Sequence, residues 1–453
     1  MKIMDILKAI DGKLIIGNEN AVINSFSKDT RTIHEGDLYF AIKGDKFDGN
    51  KYYLEAFSKG ASTVIMDDEK SISKKEKNII LVDDTIKALQ KLAIYKRSLC
   101  NVPVIAITGS VGKTSTKDII YSVLSQKYKT FKSLENHNNG IGLPMTLLDY
   151  KDEEVIVLEM GMNSLGEISL LSKIAKPDIA IITNVGTAHL GNLGSRENIL
   201  KAKLEIMDGM NEEGILIINN DNDLLHSQKS FKVKNIITVG IYNKSDFIAE
   251  SILYTRFCSK FKVNNYEYSI KIPGEPFIYN SLLSIATGFS LKLTEKEIAS
   301  GLKNFELSKN RLEVWNLDNN ISIINDTYNA NLDSMKFALD FLVKQQGDRK
   351  IAVLGDILEL GEFSKKIHYE IGSYLGTINI DKLICFGDQS RYIAFSAVDN
   401  GLKEDNIELF ENKEDLIAYL KDYIKEKDTL LFKASNGMKL IDIAKELKEF
   451  CTK

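Results

Sequence analysis

The sequence predicts an α/β protein with three domains. Its 453 residues are about three times the 150 or so that one domain commonly has. Short apolar runs suited to buried strands alternate with helical patterns along the chain, as in sheets with crossover helices. Hydrophobic residues make up 44% and charged residues 27%, which is typical of a globular protein and excludes a disordered chain. We expect domains at residues 1–100, 101–310 and 311–453.

The first hundred residues contain three strand-like runs followed by a helical pattern. We expect the strands at residues 37–42, 62–66 and 79–82, and the helix at 84–100. Mixed strands and helices of this length indicate a separate α/β unit. The boundary with the next unit is expected near Asn101.

The middle of the chain has the pattern of a parallel sheet. Residues 104–108 (VIAIT) read as a buried strand that leads into a glycine-rich turn and then a helix. Further apolar runs, at 154–160, 178–185 and 214–220, are separated by helical segments. Parallel strands are buried on both faces and therefore read as continuous apolar runs. A central parallel sheet with crossover helices follows.

The pattern starts again after about Arg311. A strand-like run at 321–330 precedes a helix at 334–344. Three more strand-like runs are separated by helical sequence, at 350–356, 382–388 and 429–435. The alternation predicts a third, Rossmann-like α/β domain.

Charge and cysteine usage exclude several classes of protein. The chain has 59 Lys and Arg against 63 Asp and Glu, a net charge of -4. A dedicated duplex-binding protein needs a basic surface for phosphate contacts, so no nucleic-acid partner is expected. The four cysteines lie far apart and form no CxxC, which predicts neither a zinc cluster nor a disulfide framework. They are Cys100, Cys258, Cys385 and Cys451.

The sequence indicates neither a membrane span nor a signal peptide. No apolar run approaches the roughly 18 residues that a spanning helix needs. The N-terminal segment carries Asp5 and Lys8 within its apolar stretch and has no small-residue cleavage site. We therefore expect a cytoplasmic protein without a membrane partner. Separately, we expect a monomer.

The strongest local signal is a phosphate-binding loop between a strand and a helix. The backbone N–H groups of such a loop can hold phosphate oxygens, Lys113 can reach the terminal phosphates, and the Thr114 hydroxyl can bind magnesium. Ile107 replaces the first glycine of the general GxxxxGK[ST] pattern, so a simple glycine turn followed by a helix cap is the alternative. The loop comprises Gly109, Ser110, Val111, Gly112, Lys113, Thr114 and Ser115.

Two further residues of interest follow buried strands. Glu159 lies at the end of one apolar run, and His189 comes just after the next. Open parallel sheets bind ligands at the carboxyl ends of their strands, so a carboxylate at Glu159 is well placed for magnesium. Taken alone, Glu159 also suits a solvated or capping role, and His189 suits a role without a ligand.

These motifs together resemble the Mur ligase family over essentially the whole chain. In that family TGxxGK[ST] is the usual form of the phosphate loop, so Ile107 is expected. Glu159 in LEMG matches the family's magnesium-binding glutamate, and His189 in NVGTAHLGNLGS matches its magnesium-linked histidine. Lys203 in ILKAKLEI resembles the lysine that these ligases carbamylate to form a metal ligand, whereas by sequence alone it is a helix-surface lysine. Catalytic roles are thus implied for Lys113, Glu159, His189 and Lys203.

The same resemblance implies three more nucleotide contacts. Asn280 resembles the asparagine that contacts the adenosine part of ATP, while Arg311 and Asp326 resemble contacts supplied where the second and third domains join. An arginine suits this role because its planar guanidinium can hold phosphate oxygens in a bidentate way. The local alternatives are a helix N-cap for Asn280 and a surface ion pair for Arg311.

Two segments indicate which member of the family the chain resembles. Residues 136–144 (NHNNGIGLP) resemble the NxNNxxGxP signature of the member that adds a dipeptide, with Asn138 and Asn139 as substrate contacts. Residues 354–361 (LGDILELG) resemble the GDMLELG loop of that member. An ordinary Asn-rich turn is the local alternative for the first segment. No match to the DNPR-type motif of the member that adds the third stem residue is present.

The first domain resembles the part of the family that receives the UDP end of the substrate. KDTR at 28–31, GDLYFAIKG at 36–44 and FDG at 47–49 match the family's DSR, GDLFxAxxG and xDGH stretch, with Asn50 in place of the usual histidine. Near the C-terminus, Asn436 stands where arginine is common, so a contact by that arginine is not carried over. The substrate contacts implied in the first domain are Thr30, Arg31, Gly44 and Asp48.

The resemblance implies an ATP-dependent, ADP-forming ligase of peptidoglycan synthesis that uses Mg²⁺. Its substrates would be a UDP-N-acetylmuramoyl tripeptide and D-alanyl-D-alanine, joined through an acyl phosphate. The implied fold has an N-terminal UDP-substrate domain, a central P-loop ATPase domain and a C-terminal Rossmann-like domain that binds the dipeptide. Two other functions stay open at this point: a ligase of the folylpolyglutamate synthase type, and a regulatory module that hydrolyses ATP without making a bond.

Overall fold

The computed structural model describes residues 1–44, 47–73, 77–134, 137–255 and 258–452, which form four β-sheets with surrounding helices. The predicted α/β class is confirmed. We refer to a first unit, with a five-stranded sheet, to a central unit, with a seven-stranded and a three-stranded sheet, and to a third unit, with a six-stranded sheet. Asn136 of the asparagine-rich segment lies outside the described residues.

The first unit has a mixed sheet in the order β1-β5-β4-β3-β2, in which only the β1–β5 pair is antiparallel. The helix α3 begins where the Asp84 side chain accepts a hydrogen bond from the Lys87 backbone N–H, which satisfies one of the free donors of the first turn. The elements are α1 (Ile3–Ile10), β1 (Lys13–Ile16), β2 (Phe26–Ser27), β3 (Leu38–Phe40), α2 (Tyr53–Ser58), β4 (Thr63–Met66), β5 (Asn78–Leu81) and α3 (Thr85–Ser98).

The central unit is built on a parallel seven-stranded sheet in the order β12-β11-β10-β9-β6-β8-β7. Every residue of β6 and β8 is buried, as the continuous apolar runs predict. The elements are β6 (Val104–Thr108), α4 (Lys113–Leu124), β7 (Thr130–Lys132), α5 (Gly142–Asp149), β8 (Val155–Glu159), α6 (Glu167–Ala175), β9 (Ile179–Ile182), α7 (Leu190–Leu193), α8 (Arg196–Leu204), β10 (Ile215–Asn219), α9 (Asp223–His226), β11 (Asn235–Gly240) and β12 (Phe247–Ile248).

A small antiparallel sheet and two helices complete the central unit. The sheet order is β13-β14-β15, and the second helix, α11, begins with a reciprocal capping box between Thr294 and Glu297. The elements are β13 (Glu250–Tyr254), β14 (Ser259–Val263), β15 (Tyr266–Ile270), α10 (Glu275–Ser290) and α11 (Glu295–Asn304).

The third unit has a six-stranded sheet in the order β16-β17-β21-β18-β19-β20, parallel except for the β16–β17 pair. The Asn331 side chain caps α12 by accepting from the Ser334 backbone N–H. The elements are β16 (Glu313–Asn316), β17 (Ser322–Asn325), α12 (Leu332–Val343), β18 (Arg349–Gly355), α13 (Ser364–Leu375), β19 (Lys382–Phe386), α14 (Arg391–Asp399), β20 (Ile407–Phe410), α15 (Lys413–Tyr423), β21 (Asp428–Lys433) and α16 (Leu440–Phe450).

The sheet registers bring the predicted site together. In the central sheet Ile107 lies opposite Glu159, and Thr108 lies opposite Ile182, so the carboxyl ends of β6, β8 and β9 meet at one edge. One apolar cluster runs from the central unit into the third, and it includes Ile107 and Ile324. This shared core holds the third unit against the edge where the site lies. Within the described residues, no helix combines the length and apolarity that a membrane crossing requires.

Candidate active site

The turn between β6 and α4 has a backbone that only glycine accommodates at two positions. A Cβ on Gly109 would lie 1.8 Å from the Thr183 hydroxyl oxygen, and Gly112 has a left-handed φ of +83°. Left-handed backbone is disfavoured for residues with a Cβ and accessible to glycine. The two glycines therefore allow the chain to turn tightly from the strand into the helix.

Asn184, which follows β9, holds the loop in place. Its side-chain oxygen accepts hydrogen bonds from the Ser110 and Val111 amides, at 3.1 and 2.9 Å. Among the described residues, no protein group accepts from the amides of residues 113–115, the first three of α4. Free N–H groups at the positive end of a helix are a binding site for anions such as phosphate.

Lys113 is the first residue of α4 and turns back over the loop. Its Nζ donates a hydrogen bond to the Gly109 carbonyl at 2.8 Å. Burial lowers the pKa of Lys113, the nearby Arg311 lowers it further, and Glu159 opposes the shift. An anion bound in the loop would therefore offset the cost of burying the positive charge of Lys113, which favours binding of charged phosphates.

A group of hydrogen-bonded polar side chains lies beside the loop. The Thr114 hydroxyl donates to Glu159 Oε2 at 2.8 Å, and the Asn138 amide donates to Glu159 Oε1 at 2.9 Å. Arg311 Nη2 in turn donates to the Thr114 hydroxyl at 2.8 Å. Glu159 is only 2% exposed. A carboxylate and a hydroxyl in contact are oxygen donors of the kind Mg²⁺ prefers, so these residues fit that ion.

His189 faces the same cavity from the loop after β9. Burial, with smaller contributions from the charges of Lys113 and Lys203, lowers its pKa to about 4, so the imidazole is neutral near pH 7. Its Nδ1 lies 3.0 Å from Glu359 Oε2 of the third unit. A neutral imidazole can act as a ligand or accept a hydrogen bond through its unprotonated nitrogen.

Lys203 lies on α8 and is only 1% exposed. The local expectation of a helix-surface lysine is therefore wrong. Burial, together with the charge of Lys113, lowers the pKa of Lys203 well below its ordinary value. Among the described residues no carboxylate forms an ion pair with it. A lowered pKa makes the neutral amine, which is the nucleophilic form, easier to reach than in an exposed lysine.

The three residues predicted to contact the nucleotide have different surroundings. Asn280 lies within α10, not at its start, so the N-cap alternative is wrong, and its Oδ1 accepts from the Thr116 hydroxyl at 3.1 Å. The guanidinium of Arg311 stacks 3.8 Å from the ring centre of Tyr328. Within the described residues Arg311 has no carboxylate partner, so the surface ion pair is wrong as well. Asp326 forms a 2.5 Å ion pair with Lys433.

A cavity of about 900 Å³ between the central and third units joins these groups, except that Lys203 is not among the residues that line it. Its walls combine the phosphate loop with residues that follow β8 and β9, the start of α10 and the start of the third unit. Residues of both units that reach it include Lys113, Thr114, Glu159, His189, Asn280, Arg311, Asp326, Asp333 and Lys433. This volume is within the range of sites for small molecules and cofactors.

The residues predicted in the first domain lie apart from this cavity. The Thr30 hydroxyl donates to Glu55 at 3.0 Å, and Arg31 pairs with Asp29 at 2.5 Å with its side chain 82% exposed. The Gly44 amide donates a hydrogen bond to the Phe47 carbonyl at 2.7 Å.

Two predicted substrate residues also have local structural contacts. Asp48 accepts hydrogen bonds from the backbone and side chain of Asn50, which is buried and also donates to Asp67 at 2.8 Å. Asn50 therefore joins two loops of the first unit. Asn139 accepts from the Ile141 and Gly142 amides at the start of α5, as in an Asx turn. Asn138, by contrast, reaches Glu159.

The sequence did not indicate several residues of the site, among them Asn184, Tyr328 and Glu359. Asn184 follows a buried strand just as Glu159 ends one, so the strand-end argument could have found it. Tyr328 and Glu359 lie in segments noted for other reasons, and their contacts with Arg311 and His189 join different parts of the chain. Nothing in the local sequence indicates those two contacts.

Family models match nearly the whole chain in three consecutive parts. Residues 22–97 match the Mur ligase family catalytic domain, residues 107–288 the Mur ligase middle domain, and residues 310–436 the Mur ligase glutamate ligase domain. The three-domain α/β prediction is confirmed at this level, whereas the exact boundaries remain predictions.

Individual relatives and structures agree with these matches. The chain is 38% identical over 437 residues to UDP-N-acetylmuramoyl-tripeptide–D-alanyl-D-alanine ligase of Bacillus subtilis, covering 95% of this chain and 94% of the relative. A crystal structure of MurF from Acinetobacter baumannii has a TM-score of 0.89 at 28% identity, covering 99% and 98% of the two chains. MurF from Thermotoga maritima in complex with ADP has a TM-score of 0.82 at 29% identity, covering 96% and 99%. The chain therefore belongs to the Mur ligase family.

Proposed function

We infer that this protein is an ATP-dependent, ADP-forming ligase that joins D-alanyl-D-alanine to UDP-N-acetylmuramoyl tripeptide. The observation that carries this inference is the 38% identity, over 95% of the chain, to a ligase named for that reaction. The product is the UDP-linked pentapeptide precursor of peptidoglycan. The phosphate loop, the buried carboxylate and the cavity between two units support the same chemistry.

The reaction forms one amide bond at the expense of one phosphoanhydride bond. The C-terminal carboxylate of the tripeptide attacks the γ-phosphorus of ATP, which gives an acyl phosphate and releases ADP. The amine of the dipeptide then attacks the acyl carbon and, after losing a proton, displaces inorganic phosphate. The transferring phosphoryl group carries negative charge throughout, so the protein contributes mainly positioning and charge stabilisation.

The residues of the phosphate loop would supply much of that stabilisation. The free amides of residues 113–115 would bind phosphate oxygens, and Lys113 would leave the Gly109 carbonyl to reach the terminal phosphates. Arg311, held by stacking on Tyr328, would contact the nucleotide from the third unit. Asn280 packs against the loop, since a Cβ on Gly112 would lie 2.9 Å from its Oδ1. Asp326 would contact the nucleotide while it is ion-paired with Lys433.

Mg²⁺ would be held by Thr114 and Glu159, with His189 linked to it and the carbamate of Lys203 as a further carboxylate-like ligand. When bound, the ion neutralises phosphate oxygens and orients the terminal phosphate. The donor set fits this role, because Thr114 and Glu159 are already in contact at 2.8 Å. The amine of Lys203 is buried, has no ion-pair partner in the described part of the chain and has a lowered pKa, which suits carbamylation by CO₂.

The remaining assignments are also proposals. The first unit would bind the UDP end through Thr30, Arg31, Gly44 and Asp48, and Asn138 and Asn139 would contact the peptide substrate. The third unit would bind the dipeptide, and closure of the units would exclude water that hydrolyses the acyl phosphate. We further propose domain boundaries at 1–100, 101–310 and 311–453, a monomeric state and a cytoplasmic location.

The choice of substrate is tested by ligand-induced stabilisation. We expect UDP-N-acetylmuramoyl tripeptide to raise the Tm, because a ligand at about 100 times its Kd stabilises the native state by about 2.7 kcal/mol. A reduced folate at the same concentration should leave the Tm unchanged. A rise with the folate and none with the UDP-peptide, measured by scanning calorimetry, would assign the chain to the folate-type ligases instead.

A further inference from the structure

One contact of a cavity residue, His189, joins side chains from two different units. His189 follows β9 of the seven-stranded sheet, and Glu359 follows β18 of the six-stranded sheet. His189 Nδ1 and Glu359 Oε2 are 3.0 Å apart. The contact therefore exists only while the third unit is seated on the central unit.

The backbone on both sides of this contact is in an uncommon conformation. His189 has a φ of +63° and Glu359 a φ of +64°; the left-handed region is uncommon for residues other than glycine, although histidine adopts it more often than glutamate does. Such conformations persist where the surrounding structure holds them, and they are frequent at functional sites. Each side chain is thus presented to the other by a locally disfavoured backbone.

Close packing of the two backbones supports the contact. A Cβ on Gly191, in α7, would lie 2.6 Å from the Leu360 carbonyl carbon and 2.7 Å from the Gly361 nitrogen. Only a glycine allows the loop that carries Glu359 to approach α7 so closely. The seating of this loop is therefore specific, and it fixes the carboxylate beside the imidazole.

The chemistry of the pair is that of a histidine oriented by a carboxylate. In a neutral imidazole one ring nitrogen carries the proton and the other has a free lone pair. Nδ1 is buried and, among the described residues, has no acceptor in line for a hydrogen bond, although the Glu359 carboxylate is at contact distance. A carboxylate beside one nitrogen favours the tautomer with the proton on that nitrogen, which leaves the other free to bind.

We propose that Glu359 is a positioning residue for His189: seated by the third unit, its carboxylate holds the proton on Nδ1 and keeps the Nε2 lone pair available to the metal site. This rests on the proposed function, in which His189 is linked to Mg²⁺. The third unit then does more than deliver the dipeptide. When the third unit is seated, its Glu359 also orients His189 of the central unit. Metal binding at the phosphate-transfer site then depends on the position of the third unit.

The tautomer of His189 tests this without any substrate or metal. The chain has five histidines, so long-range ¹H–¹⁵N spectra of histidine-labelled protein near neutral pH can be assigned, with His189→Gln identifying the signal. We expect the Nδ1–H tautomer in the wild-type protein and a shift toward Nε2–H in Glu359→Gly. Glycine suits the left-handed backbone at this position, so a change in that variant is due to the lost carboxylate.

Three other variants make the test specific. Gly191→Ala should give the same shift in tautomer as Glu359→Gly, because the added Cβ blocks the loop from seating. Glu359→Gln keeps an acceptor oxygen and should retain part of the Nδ1–H population. Glu362→Gln is the matched control, since Glu362 is an exposed glutamate of the same loop without a hydrogen bond or ion pair to the described residues; it should leave the tautomer unchanged.

Metal affinity gives a second readout. We expect Glu359→Gly to weaken Mn²⁺ binding in the presence of ADP about tenfold, measured by electron paramagnetic resonance, as is usual when the partner of a metal-linked histidine is removed. An Nε2–H tautomer in the wild-type protein, or a tautomer and Mn²⁺ affinity unchanged in Glu359→Gly, would overturn the proposal. If the tautomer and the Mn²⁺ affinity respond as expected but the wild-type protein forms no pentapeptide, the proposed function fails and the positioning contact stands.

Discussion

Replacing Lys113 by alanine is expected to lower kcat by about 10²- to 10³-fold, the usual loss when one stabilising donor is removed from a transition state that carries charge. The ammonium lies in the phosphate loop, where it donates a hydrogen bond to the Gly109 carbonyl, beside the position proposed for the nucleotide phosphates. Phosphate release measured with both substrates at saturation reports the effect.

The stability of the Lys113→Ala protein should not fall. Burial already lowers the pKa of Lys113, which means that the folded state disfavours its charged form. The Tm of the variant, measured without ligands, is therefore expected to equal or exceed that of the wild-type protein. Lys303→Ala, at an exposed lysine of α11, is the control that should retain activity. A Lys113→Ala enzyme with full turnover would contradict the role of the loop.

Lys203→Ala is expected to lose ligase activity by at least about 10²-fold, the upper part of the range for residues that support a metal site. The amine of Lys203 is buried and has no ion-pair partner among the described residues, and its pKa is well below the ordinary value, so it is suited to form a carbamate. Alanine has no amine, and added bicarbonate should not restore activity. In the wild-type protein, ¹³C-labelled bicarbonate should give a carbamate signal that the variant lacks.

The same helix provides a matched control for Lys203→Ala. Lys201 is also on α8 but is exposed, so Lys201→Ala should keep both the activity and the ¹³C carbamate signal. Full activity in Lys203→Ala would rule out the carbamate as a required group.

The central sheet and its loop could be predicted from the sequence because their signals are local. The strand predicted at 104–108 is β6 (Val104–Thr108), and the motif that follows it leads directly into α4. Continuous apolar runs indicate buried strands, and glycines and a lysine at fixed spacing indicate a tight phosphate-binding turn. Neither pattern depends on the rest of the chain. The same logic placed Glu159 at the end of β8.

Features that depend on contacts between distant residues could not be predicted. The ion pair of Asp326 with Lys433 joins residues 107 positions apart, and the contact of His189 with Glu359 requires two units to meet. The burial of Lys203 was missed because α8 carries polar residues around most of its surface and therefore has no clear apolar face. The antiparallel sheet β13–β15 was missed because its alternating pattern, as in β14, is only five residues long.

The measurement that tests the central claim most directly is phosphate release from ATP and Mg²⁺ in the presence of UDP-N-acetylmuramoyl tripeptide, with and without D-alanyl-D-alanine, with products identified by mass. The account predicts sustained release only when both substrates are present, with one UDP-linked pentapeptide formed for each phosphate released. Equal release without the dipeptide, and no pentapeptide by mass, would contradict it and would leave a nucleotide-hydrolysing protein instead of a ligase.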